Sequence, residues 1–144
     1  MSPTVHSATT IARPVEDVFQ FLLDLDKNAS DPGVESVAKT PTGPTVPGTT
    51  FRFDHGRGRE TTMRFTAIEP NRTIEFRGEV GPLRPAGDFS LERADGQTRL
   101  AVRVAPNPSG ALKLVSPIVN RIGRRVWEKR LARIKEALEG KGSS

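Results

Sequence analysis

The sequence predicts an α+β domain: an antiparallel sheet covered by one long C-terminal helix. Three observations carry this. Apolar and polar residues alternate through much of 49–104, the period of strands with one buried and one wet face. Short turn sequences cut that alternation at hairpin-like intervals. From Ser116 to Glu139 the period becomes helical, and this helix alone is large enough to cover a sheet face.

The elements follow in order. Thr4 to Ile11 alternates loosely and reads as a strand. Pro14 then opens a helix at a first-turn position, where its missing N–H is harmless. Glu16 and Asp17 favour the positive end of the helix dipole. Val15, Val18, Phe19, Leu22 and Leu23 form its apolar stripe. Residues 26–33, DKNASDPG, read as a turn or a short second helix ending at Pro32-Gly33.

Strands come next. Val34 to Thr40 is short, and a Pro/Gly/Thr loop follows it. Thr49, Phe51, Phe53 and His55 share one strand face, and Arg52 and Asp54 share the other. After a turn at 56–58, Thr61, Met63, Phe65 and Ala67 alternate with Thr62, Arg64 and Thr66. EPNR (69–72) is a hairpin turn, after which Ile74, Phe76, Gly78 and Val80 alternate with Glu75, Arg77 and Glu79. The prolines of GPLRPAG (81–87) suggest an edge or a kink. Phe89 and Leu91 lead to Asp95-Gly96, a strong hairpin signal, and Leu100, Val102 and Val104 form the last alternating run.

Composition bounds the function. A chain of 144 residues is most simply one domain with its own core. It has no cysteine, which excludes disulfides and thiolate zinc sites. The sequence carries no metal-ligand spacing, no Gly-rich phosphate loop and no Ser-His-Asp set, so neither a metal nor a cofactor is expected. No apolar run is long enough to span a bilayer, and MSPTVHSATT lacks the features of a secretion signal. The expected location is therefore cytoplasmic.

Residues 110–140 hold eight basic and three acidic residues, and the remainder holds fourteen of each, so the whole excess of positive charge sits in the C-terminal helix. A solvated helix face accounts for this, and so does peripheral contact with an anionic membrane or an acidic partner. A nucleic-acid partner is not expected: there is no tyrosine, a single tryptophan and no basic–aromatic interleaving.

Within that helix, SPIVNRIGRRVW (116–127) contains two residues that weaken helix interiors, Pro117 and Gly123. Ser116-Pro117 suits an N-cap followed by a first-turn proline, so either a helix starts there or a continuous helix kinks there. At about 100° per residue, Ile118, Ile122 and Val126 form one stripe, while Trp127, Leu131, Ile134 and Leu138 form another more than a right angle away. The two halves must meet different surroundings, or the helix must wrap across a concave sheet. Gly123 and Arg130 fall between the stripes and point inward.

In order along the chain, TTIARPVEDVFQFLLDL, GTTFRF, FTAIEPNRTIEFRGE, GDFSLERADGQTRLAVRV and RVWEKRLARIKEALEG resemble the START-like, or SRPBCC, helix-grip superfamily, in particular its bacterial polyketide cyclase/dehydrase-type branch. The resemblance runs from about Thr4 to Glu139. It implies a seven-stranded curved antiparallel sheet wrapped on a long C-terminal helix, with two short helices after the first strand. A single START-like domain over 1–140 with a flexible tail at 141–144 is expected. The superfamily encloses a mostly apolar cavity between sheet and helix and uses it for lipids, polyketides and other hydrophobic molecules. Some members are enzymes and others only carry ligands.

Strand parity gives an inward set of Phe51, Phe53, His55, Met63, Phe65, Ile74, Phe76, Val80, Phe89, Leu100 and Val102. All but Ile74, Val80 and Leu100 are expected to contact a ligand, together with Val119, Ile122, Gly123, Val126 and Trp127 of the helix. Each apolar member would serve equally as plain core. His55 and Arg130 are the candidates for acid–base chemistry. The strand-end position of His55 beside Gly56 also suits an exposed rim, and Arg130 also suits a snorkelling side chain. The leading expectation is a non-catalytic carrier or sensor of a hydrophobic small molecule. The alternatives are an aromatic polyketide cyclase or dehydratase, and an adaptor docking on a membrane or protein through its basic helix. Monomer and homodimer both fit.

Overall fold

A computed structural model describes residues 5–24, 34–81, 84–105 and 116–142, with the last segment's side chains described from 121 to 140. The strands are β1 (Val5–Ile11), β2 (Ser36–Thr40), β3 (Thr50–Asp54), β4 (Glu60–Glu69), β5 (Thr73–Val80), β6 (Ala86–Ala94) and β7 (Gln97–Ala105). The helices are α1 (Val15–Leu23) and α2 (Ser116–Gly142). The seven strands form one antiparallel sheet in the order β1-β7-β6-β5-β4-β3-β2. Six strands thus form a meander, and β1 returns to pair with β7. A second short helix after α1 would fall on residues outside the described ones. Helix α2 runs two residues past the domain boundary expected at 140.

Turn chemistry sets the hairpins. Asp95 and Gly96 both take positive φ, 53° and 80°, as a two-residue turn of type I′ requires. Their hairpin brings Ala94 opposite Gln97 and Phe89 opposite Val102. Gly87 answers a close approach: a Cβ there would lie 2.0 Å from the Arg103 carbonyl oxygen. In α1, Pro14 stands at the N-cap, one residue before the expected first turn, and is extended at φ −61° and ψ 153°. In α2, Pro117 lies in the first turn of the described helix, where proline is tolerated.

The core lies between the inner sheet face, α1 and the C-terminal half of α2. Phe51, Phe65, Ile74, Leu100 and Val102 are buried from the sheet, Val15, Val18 and Leu22 from α1, and Leu131 and Leu138 from α2. Full burial of such a side chain stabilises by roughly 1.5–3 kcal/mol. One departure from strict alternation occurs in β4. The register shifts between Phe65 and Ala67, so Phe65 pairs with Phe76 but Ile68 pairs with Ile74. The extra residue of this bulge puts Ile68 against the core, a position the two-residue period assigned to Ala67.

Candidate functional site

The two halves of α2 meet the sheet differently, and a cavity of about 400 Å³ lies where they differ. From Trp127 onward the helix buries its apolar stripe. Before Trp127 it does not: Ile122 is 59% exposed and Val126 41% exposed. Both line the cavity with Gly123, Trp127 and Arg130. The opposite wall is the inner face of β3, β4 and β5, through Phe53, His55, Thr61, Met63, Phe76 and Val80, with Thr62, Gly78 and Pro85 beside it. Val5 and Val104, opposite one another in the β1–β7 register, close one side.

Aromatic contacts fix the helix over this wall. The Trp127 ring stacks on Phe76 with centroids 5.8 Å apart and meets Phe89 edge-on at 5.7 Å. The Arg130 guanidinium carbon lies 4.9 Å from the Trp127 ring centroid, a cation–π contact that holds the charge on the cavity wall. At Gly123 an added Cβ would touch a Val5 methyl at 3.4 Å. Gly123 lines the cavity, so a longer side chain there would take up its space.

Polar groups in the wall are few. His55 sits in the turn after β3, where its backbone N–H donates to the Arg59 carbonyl at 2.9 Å and the Gly56 N–H donates to Asp54 Oδ1 at 2.8 Å. Its Nε2 lies 2.9 Å from Thr61 Oγ1, and the ring tautomer decides which of the two donates. No acidic residue lines the cavity among the described residues. No group of three or more His, Cys, Asp or Glu among them could hold a metal ion. No helix among them is long and apolar enough to cross a membrane.

The expected ligand contacts therefore divide. Phe53, His55, Met63, Phe76, Ile122, Gly123, Val126, Trp127 and Arg130 line the cavity. Phe51, Phe65, Phe89 and Val102 do not; they are packed into the core beneath it. Parity reports the face a residue occupies, not its depth. The Val119 side chain lies outside the described residues. Val5, Val104, Thr61, Thr62, Gly78 and Pro85 line the cavity without having been expected there. Val80 was in phase, but its 44% exposure shows a place at the rim. Only the β1–β7 pairing brings Val5 and Val104 here, and no local sequence pattern reports it.

A curved antiparallel sheet gripping a C-terminal helix over an apolar cavity defines a helix-grip protein of the SRPBCC type. The chain belongs to the polyketide cyclase/dehydrase and lipid transport family, whose model matches residues 2–139. No curated protein matches the sequence. Among solved structures, Ara h 8.0201 is similar at 20% identity with a TM-score of 0.74, over 98% of this chain and 97% of that one. TTHA0849 from Thermus thermophilus is similar at 17% identity and a TM-score of 0.74, over 96% and 99%. DynU16, a protein in the dynemicin biosynthetic locus, is similar at 19% identity and a TM-score of 0.68, over 94% of this chain and 47% of that one. At these identities the likeness is one of fold.

Proposed function

We propose that the protein binds a hydrophobic small molecule in the cavity between sheet and helix, as a carrier or sensor. The observation that carries this reading is where the exposed apolar surface lies. Four large apolar side chains are exposed among the described residues, Val46, Val80, Ile122 and Val126, and the last three all line the same cavity. Exposed apolar surface gathered on a concave site is the mark of a binding site. The volume falls in the range of about 300–1,000 Å³ that suits drug-sized molecules. Trp127, the only tryptophan, lines the cavity and so reports on it. Titration with 1-anilinonaphthalene-8-sulfonate should quench Trp127 emission saturably, and laurate or an anthraquinone should compete. A response that never saturates, in the native protein, would overturn the reading.

A second reading has one observation in its favour. His55 and Arg130, the two acid–base candidates, both line the cavity. A cyclase or dehydratase would use them on a bound polyketide, with the shaped pocket supplying orientation. His55 is hydrogen-bonded to a threonine hydroxyl and not to a carboxylate, which favours the carrier. Turnover of an aromatic polyketide precursor that is lost in His55→Ala and Arg130→Met, with ligand binding kept, would decide for the enzyme.

A further inference from the structure

The outer face of the sheet carries a feature that ligand binding on the inner face does not use. By parity, Arg52 of β3, Arg64 of β4 and Arg77 of β5 point away from the core. Arg64 and Arg77 stand directly opposite one another in the β4–β5 register. Like charges in that position are destabilising. With Arg52, Arg84, Thr50, Thr62 and Glu79 they line a groove of about 570 Å³. Two carboxylates answer other arginines of the groove: Glu60 lies 3.9 Å from Arg52, and Glu79, itself in the lining, lies 3.7 Å from Arg84. The Arg64 and Arg77 side chains make no ion pair or hydrogen bond among the described residues.

The other half of the same face shows how the fold handles charge elsewhere. Glu92 of β6 stands opposite Arg99 of β7, and Asp88 opposite Arg103 with 3.6 Å between charged atoms. Glu75 and Asp88 also face each other, but Arg103 compensates that pair from the next strand. The β4–β5 pair of arginines has no such compensation.

We propose that this groove is a second binding site, for a phosphate group. Two opposed guanidinium forks offer parallel N–H donors to a multiply charged oxyanion, which the Thr50 and Thr62 hydroxyls can supplement. The phosphate can belong to a soluble phosphate ester or to a lipid headgroup, and the chemistry at the arginines is the same. The groove and the apolar cavity share Thr62, Gly78 and Pro85, so little more than the sheet's own backbone separates the two sites.

The test compares the full chain with Arg64→Gln/Arg77→Gln, the two single substitutions, and Arg99→Gln as a charge-matched control on the same face. Inorganic pyrophosphate is titrated calorimetrically at low salt, and flotation is measured on phosphatidylcholine vesicles with and without phosphatidic acid. Loss of two charge-assisted contacts should weaken binding by about tenfold or more, while the control binds as the parent does. The Arg64 and Arg77 variants should melt at or above the parent temperature, because those substitutions relieve repulsion. Pyrophosphate binding with this pattern supports the site and assigns a soluble ester. Binding only to phosphatidic acid vesicles, with the same pattern, supports it and assigns a headgroup. No binding of either probe, binding that survives the double substitution, or equal loss in Arg99→Gln would overturn it.

Discussion

The two halves of α2 are made of similar residues and do opposite work. The half from Trp127 to Gly140 is an anchor. Leu131 is 1% exposed, Leu138 is buried, and Ile134 and Ala137 pack against the core. Lys135 Nζ donates to the Thr10 carbonyl and to Glu139, and the Glu139 carboxylate accepts the Ala12 N–H at 2.9 Å. The half from Arg121 to Val126 is the roof of a cavity. Its apolar residues are left exposed, Gly123 keeps its inner side open, and Arg121, Arg124 and Arg125 face solvent. A helix can thus hold a fold together at one end and leave space at the other, provided its apolar stripe turns midway.

The largest expected effect is on the anchor. Leu131→Ala should destabilise the protein by about 2–5 kcal/mol, read by urea denaturation, because it empties a fully buried site. Next comes the roof. Gly123→Leu should abolish saturable dye binding while changing stability by no more than about 1 kcal/mol, the gain in helix propensity offsetting contact with Val5. Unimpaired binding in that variant would show that Gly123 does not border the ligand.

A smaller effect belongs to the clamp. The hydrogen bond from Lys135, then the Ala12 N–H, hold the Glu139 carboxyl below its ordinary value of 4.5. A depressed folded-state value means the carboxylate's contribution is present above the unfolded value and is lost as pH falls through the folded one. Melting temperatures of the parent and Glu139→Gln should therefore differ at neutral pH and converge in acid. Parallel curves would remove the clamp from the account. The smallest effect is at the roof again: Ile122→Ala should change stability by less than about 0.5 kcal/mol. If it costs as much as Leu131→Ala, the contrast between the halves is broken.

The turn of the stripe was legible in the sequence, since the angles of Ile122 and Val126 against Leu131 and Leu138 already require two surroundings. The Asp95-Gly96 hairpin was legible because its backbone demands positive φ at both residues. Other features were not. The bulge after Phe65 leaves no trace in a two-residue period until the partner strand is known. The burial of Phe51, Phe65, Phe89 and Val102 below the cavity depends on where the helix lies, which no strand reports. The cavity contacts of Val5 and Val104 depend on a pairing between residues at opposite ends of the chain. Half of the candidate site was therefore visible as a face, and its depth and far wall were not.

The Lys135–Thr10 and Ala12–Glu139 contacts join residues 125 and 127 positions apart. Closing so long a loop has an entropic cost before any contact rewards it. During synthesis, β1 emerges ahead of the other strands, yet the helix side chains that bind its end follow it by 125 and 127 residues. Until then α1 alone covers part of the apolar inner face of the sheet, so the nascent chain passes through an interval of aggregation risk that ends only when α2 has emerged.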